Sequence, residues 1–155
     1  MDVKIGNSPL GSNSVSGSDN IRSNSSNNIN SSSGATSFKE VMKTDRLDDF
    51  NCTMQELLEV VRSRGEQFVN TPEENALNSY RESVKYFLRR LREEFLSLKE
   101  EFGAESGGEQ KIYQLVDTAG DQADALTQEA FTHDRALEML SSLDDIRGMV
   151  IDVIG

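Results

Sequence analysis

The sequence contains one histidine and one cysteine, the two residue types most often used to activate or perform nucleophilic attack. His133 and Cys52 are far apart in the chain. A serine or cysteine nucleophile needs a positioned base, and only His133 could serve as an imidazole base here. His133 falls in a predicted apolar helical stripe, and Cys52 precedes a predicted helix start, so we interpret both as structural. We therefore expect no enzyme and assign no catalytic residue.

Metal and cofactor motifs are also missing from the sequence. A single cysteine allows neither an intrachain disulfide nor a cysteine-based metal cluster. Di-metal sites in helical bundles place a glutamate three residues before a histidine, but that position is Ala130 here. The sequence has no phosphate-binding loop, dinucleotide fingerprint or calcium-binding EF-hand loop. We expect no cofactor and no metal.

The first part of the chain differs in composition from the rest. Residues 1–37 are mostly Ser, Asn and Gly and cannot bury enough apolar surface to offset the entropy of ordering. We predict a disordered arm over 1–37 and a helical bundle domain over 38–155. Charges within the arm cancel, so the net charge of −11 belongs to the predicted bundle.

This acidity disfavours attraction to nucleic acid and to anionic membranes. The N-terminus lacks a basic start followed by an apolar core, which argues against a signal peptide. No apolar run approaches the ~20 residues that a membrane-spanning helix needs. We expect a cytoplasmic protein without membrane insertion.

The spacing of apolar residues predicts an all-α fold, an up-and-down bundle of about four helices. The clearest helix is predicted from Thr71 to Phe102, with a capping box formed by Thr71 and Glu74. Before it, a short amphipathic piece over 38–50 precedes a helix that starts at a second capping box, Thr53 with Glu56. Gly65 interrupts good helix formers in this earlier helix, and close helix packing is one interpretation of it.

The second half of the chain follows a glycine-rich connector over 103–108. Apolar residues then recur at alternating steps of four and three from Ile112 through His133 to Leu140, which predicts one buried stripe. A single helix of this length would overhang its neighbour, so we expect a bend or break near Thr132–Asp134.

Charges on the two central helices predict a long antiparallel hairpin that turns near residue 105. Four ion pairs fit one register: Arg81 with Glu129, Lys85 with Asp124, Arg89 with Asp121, and Arg92 with Asp117. Exposed ion pairs contribute only ~0–1 kcal/mol each, so they would set register more than stability. The same basic face is the candidate nucleic-acid surface, but the acidic partners and the lack of interleaved exposed aromatics favour the structural interpretation.

The C-terminal end carries apolar residues on more than one helical face. They are Met149, Val150, Ile151, Val153 and Ile154. Two interpretations carry equal weight. These residues bind a partner helix or a second copy of the chain, or they close the core beneath the first helix.

Four segments carry a family resemblance, one of which is the Leu57-Leu58 helix that ends near Arg64-Gly65. The chain has Ser37-Phe38-Lys39 after a variable tail, a central run YRESVKYFL over 80–88, and a closing segment DIRGMVIDVI over 145–154. In these features it resembles the YaaR-like bacterial proteins, whose domain has no established biochemical function. The resemblance implies an all-α bundle with no known catalytic residues and no cofactor.

The sequence favours a noncatalytic bundle that mediates protein–protein interaction, with a partner protein or with a second copy. An unstructured N-terminal signal ahead of a helical body also describes accessory proteins of flagellar or type III export, which is the first alternative. Nucleic-acid binding through the Arg81–Arg92 face is the second alternative.

Overall fold

The computed structural model describes the backbone of residues 27–155 and the side chains of residues 38–155. This part of the chain is all-α, as predicted, and contains no strand. Its four helices are α1 (Asn27–Asn70), α2 (Glu74–Phe102), α3 (Gly108–Asp124) and α4 (His133–Ile154). Residues 43–155 form one compact unit. Among the helices described, we find none whose length and hydropathy would allow it to span a lipid bilayer.

The first helix begins earlier and runs longer than the sequence suggests. Most of the predicted disordered arm lies outside the described residues, but α1 begins at Asn27, within the predicted arm. Thr53 and Glu56 lie inside α1, so the predicted capping box at that position is wrong. The reason is tertiary: Phe50, Met54 and Leu58 are buried at helical spacing across Thr53, and burial outweighs a local capping preference.

The predicted start of the second helix is also wrong in detail. The N-cap of α2 is Glu73, which has an extended backbone and makes no side-chain capping hydrogen bond. Thr71 directly follows the last residue of α1, and its N–H donates to the Gln67 carbonyl of that helix at 2.9 Å. From there on the prediction is confirmed, and the buried apolar residues of α2 are Leu77, Tyr80, Val84, Phe87, Leu88, Leu91, Phe95 and Leu98.

The α2–α3 connection is the predicted glycine-rich turn. Gly103 ends α2 with a φ of 83°, a left-handed value that favours glycine, and its N–H donates to the Lys99 carbonyl at 2.8 Å. Gly107 precedes α3 with a φ of 89°. Lys99 Nζ lies 2.6 Å from Glu109 Oε2 across this turn, so α2 and α3 run antiparallel.

The remaining contacts within residues 43–155 complete an up-and-down bundle. Arg46 of α1 donates to Glu101 near the end of α2, and Arg64 donates to Ser79 near its start, so these helices are antiparallel. At the other side, the Glu105 N–H donates to the Val153 carbonyl at 3.0 Å, which places the end of α4 beside the start of α3.

The break expected near Thr132–Asp134 is confirmed, and it is wider than expected. α3 ends at Asp124, and α4 begins at His133 behind the N-cap Thr132, whose hydroxyl accepts the Arg135 N–H at 3.2 Å. The connecting segment turns Phe131 into the core and leaves His133 exposed. The expectation that His133 lies in a buried stripe is therefore wrong, because the chain leaves the helix before reaching it.

Candidate functional site: a groove between α1 and α4

Two rungs of the predicted charge ladder form, and they confirm the register of the α2–α3 hairpin. Lys85 Nζ lies 3.0 Å from Asp124 Oδ1, and Arg92 Nη2 lies 3.7 Å from Asp117 Oδ1. All four side chains are substantially exposed. These pairs are therefore weak individually and act mainly on orientation.

The other two predicted rungs do not form. Arg81 instead donates to the backbone carbonyls of Ala123, at 3.3 Å, and of Leu126. Those carbonyls lie at and just after the end of α3, where the Ala123 carbonyl also accepts the Leu126 N–H at 3.3 Å, and a guanidinium group suits carbonyls at a helix end. Glu129 is out of register because it follows the end of α3. The Arg89 guanidinium lies over the Tyr86 ring, 5.2 Å from its centroid, and not against Asp121.

The C-terminal apolar residues face mainly inward. Val150, Val153 and Ile154 are buried in the core, and Met149 and Ile151 are half-buried and packed against it. This burial favours the second interpretation of the segment, closure of the core. It leaves little apolar surface there for a partner.

A different apolar surface lies in the cleft between α1 and α4. The cleft has a volume of about 310 Å³ and is lined by Leu58 of α1 and by Leu137 and Leu140 of α4, together with polar residues at its edges. A smaller pocket, lined by Val61, Gly65, Ala136 and His133, continues from it along Leu137 and Leu140. We call these two connected clefts the α1–α4 groove.

Leu137 is the most unusual residue of the groove because it is 50 % exposed. Leu58 below it is buried, and Leu140 is half-buried. Leu137 lines both clefts, so it stands at the middle of the groove. Leu137 and the half-buried Leu140 therefore provide most of the accessible apolar surface of a cleft whose other lining residues are mainly polar.

The rim of the groove carries carboxylate groups whose negative charge is partly neutralised by neighbouring arginines. Arg62 lies between two glutamates and donates to Glu59 and, at 3.1 Å, to Glu66 Oε2. The hydrogen bond from Arg62 lowers the pKa of Glu59 below its ordinary value. On α4, Arg147 Nε lies 2.9 Å from Asp144 Oδ1. The rim therefore combines three carboxylates with two guanidinium groups that hold them in place.

Sequence reasoning missed the groove because it assigned Leu137 to the buried stripe. The available signal was the N-cap of α4: Thr132, followed by His133 and Asp134, is a standard start for a helix. A helix that starts there buries Met139, Leu143, Ile146, Val150 and Val153 as its core stripe. Leu137 then falls beside that stripe and not on it.

No group of three or more His, Cys, Asp or Glu side chains among the described residues could hold a metal ion. Cys52 is an exposed free thiol, and His133 is exposed at the first turn of α4.

Comparison with known proteins confirms the family resemblance. The family described as "Protein of unknown function (DUF327)", the YaaR family, matches residues 12–154. The chain belongs to this family. No curated protein and no solved structure matches the chain.

Proposed function

We propose that this chain is a noncatalytic helical-bundle protein that binds a partner protein in the α1–α4 groove. The observation that carries the proposal is the half-exposed Leu137 above the apolar floor formed by Leu58 and Leu140. Burying the exposed part of such side chains provides about 25 cal/mol per Å² of apolar surface.

The shape of the groove supports a helical partner. It runs between two packed helices, and an amphipathic helix commonly lays its apolar face into such a groove. The partner would offer apolar side chains at helical spacing, one of which packs beside Leu137. Helices reach this kind of site without unsatisfied backbone groups, because their backbone hydrogen bonds are internal.

The charge of the rim supports a partner with basic residues beside its apolar face. Glu59, Glu66 and Asp144 line the groove, and these three carboxylates outnumber its one lining guanidinium group, that of Arg62. Complementary charge at the rim raises the rate of association and selects the partner more than it adds affinity.

The test is a crosslinking pull-down from the native cell with three full-length baits: the wild type, Leu137→Lys, and Leu96→Lys. Leu96 on α2 is a matched control, because it is also an exposed helical leucine, 43 % exposed, and it does not line the groove. Lysine at position 137 removes the apolar contact and repels a basic partner. We expect a partner that the wild type and Leu96→Lys recover equally and that Leu137→Lys loses.

A partner recovered equally by all three baits would contradict the proposal. Thermal unfolding of each bait separates loss of binding from loss of fold, because an exposed leucine contributes within about ±0.5 kcal/mol to stability.

No observation among the described residues supports either alternative function, nucleic-acid binding or a role in export. The engagement of Arg81, Lys85 and Arg92 with groups of α3 and the residues after it gives no support to nucleic-acid binding. An export-linked role remains a prediction from the composition of residues 1–37, most of which lie outside the described residues.

A further inference from the structure

A second unpartnered apolar surface lies on the N-terminal part of α1. Phe38, Val41 and Met42 are 65 %, 55 % and 39 % exposed. Their spacing of three and four residues places them on one face of the helix. We call these three residues the α1 stripe.

Basic residues lie along one edge of the stripe, and the exposed Asp45, at helical spacing after the last two stripe residues, lies on the stripe face one turn further along. Lys39 and Lys43 are four residues apart and therefore share one side of the helix, next to the stripe. Glu40 is turned by about 200° from Phe38, at ~100° per residue, and lies on the opposite face. The stripe thus forms a short helical surface with an apolar face and a basic edge, bounded at its C-terminal end by the Asp45 carboxylate.

This surface has the chemistry that the α1–α4 groove calls for. The groove offers apolar side chains around Leu137, and the carboxylates of Glu59, Glu66 and Asp144 outnumber the one guanidinium group of its lining, that of Arg62. The stripe offers apolar side chains at helical spacing with two lysines at its edge. Both surfaces belong to the same chain, so they are always present together and in equal amounts.

We propose that the α1 stripe of one copy of this chain docks in the α1–α4 groove of a second copy. This inference rests on the proposed function, since it names the occupant of the same groove. The contact is heterologous: a convex surface on one copy meets a different, concave surface on the other. Reciprocal exchange would close it as a two-fold dimer, and non-reciprocal docking would build a chain of copies.

The size of the contact predicts its strength. Stable interfaces usually bury about 1,200–2,000 Å² in total, and a helix of two turns in a groove covers less. We therefore expect association that depends on concentration, and that is strongest if two contacts form reciprocally.

Complementation between two defective variants tests the proposal on the full-length chain. The groove variant is Leu137→Lys, the stripe variant is Phe38→Glu with Val41→Glu, and the control is Leu96→Lys. Sedimentation velocity of the wild type and the control should show a concentration-dependent dimer or larger species. Each defective variant alone should associate at least about tenfold more weakly, because every contact it forms contains one damaged surface.

Mixing the two defective variants should restore a complex of one copy of each. The groove variant retains an intact stripe and the stripe variant retains an intact groove, so the mixture can form one undamaged contact. Cys52 is the single cysteine of the sequence and is exposed, so it can carry a fluorophore. Fluorescence anisotropy of the labelled groove variant then reports binding of the unlabelled stripe variant. The label then sits on the copy whose groove is not used.

Three results would overturn the inference. The first is a wild type that remains monomeric up to its solubility limit. The second is a groove variant that associates like the wild type while the stripe variant does not, which would indicate stripe-to-stripe pairing. The third is a mixture that fails to form the one-to-one complex. If any of these occurs while Leu137→Lys still loses a partner in the pull-down, the groove binds a different protein and only the inference of self-docking fails.

Discussion

Gly65 of α1 lies directly against the ring of Tyr80 on α2: a Cβ atom added at Gly65 would be 3.3 Å from Tyr80 Cε1. The same atom would be 3.5 Å from the Cβ of Ala136 on α4. Three helices therefore approach each other at this glycine. Close packing thus accounts for a glycine that costs about 1 kcal/mol of helix propensity relative to alanine.

The first prediction compares Gly65→Ala with Gly148→Ala. Both residues lie within helices, so both changes gain up to about 1 kcal/mol of propensity. At Gly148 nothing lies within 4 Å of the added atom, so that variant should unfold at a higher urea concentration than the wild type. At Gly65 the added methyl crowds a buried ring, and overpacking costs about 1–3 kcal/mol. Gly65→Ala should therefore be less stable than Gly148→Ala by at least about 1 kcal/mol, and equal stabilities would contradict the close approach.

The second prediction concerns the hydroxyl group of Tyr80. It is buried and has no hydrogen-bond partner among the described residues. Leaving such a group unpaired costs about 1–3 kcal/mol, so Tyr80→Phe should raise the free energy of unfolding by about 1 kcal/mol. Urea unfolding at neutral pH measures this change. A loss of stability of similar size would instead show that the hydroxyl is hydrogen-bonded.

A pH dependence follows from the same side chain. Burial disfavours the phenolate and raises the pKa of Tyr80 above its ordinary value of about 10. In the folded chain Tyr80 therefore keeps its proton at pH values where the unfolded chain loses it. The free energy of unfolding of the wild type therefore falls as the pH rises above about 10, over the range between the pKa of Tyr80 in the unfolded chain and its pKa in the folded chain. Tyr80→Phe should fall less steeply over that range, with the other two tyrosines present in both proteins as an internal control.

The third prediction separates formed from unformed rungs of the charge ladder. Lys85 and Asp124 are in contact, whereas Arg89 faces the Tyr86 ring and not Asp121. A double-mutant cycle on Lys85→Ala and Asp124→Ala should give a coupling of about 0.2–1 kcal/mol that decreases with added salt. The same cycle on Arg89→Ala and Asp121→Ala should give a coupling near zero. Equal couplings would mean that the ladder closes at every rung in solution.

The sequence predicts the helices best where one apolar stripe runs without interruption. The stripe of α2, from Leu77 to Leu98, is correct because a long amphipathic helix has one consistent way to bury its apolar face. The α2–α3 register is also predictable, since Lys85–Asp124 and Arg92–Asp117 both follow from charge spacing. Long periodic signals of this kind average over local exceptions.

Local signals fail where burial competes with them. The capping pattern at Thr53 is overridden because Phe50, Met54 and Leu58 continue one buried face across it. The groove could not be predicted for a related reason. Leu137 continues the apolar spacing of the earlier residues, but the chain leaves the helix after Asp124 and re-enters it at His133, so the spacing on the two sides of the break describes two different faces.

The fourth prediction tests which residue anchors that break. Phe131 is buried, with its ring centroid 4.5 Å from that of Tyr80 and 5.1 Å from that of Phe68, whereas His133 is exposed. Replacing a buried phenylalanine by alanine costs about 3–5 kcal/mol, so Phe131→Ala should lower the urea midpoint strongly. His133→Ala should change stability by no more than about 0.5 kcal/mol, because it removes an exposed side chain. The uninterrupted apolar stripe requires the reverse order, in which the histidine is buried and the phenylalanine is not. A larger loss of stability for His133→Ala than for Phe131→Ala would therefore support one continuous helix. It would contradict the exposed position of Leu137, on which the groove depends.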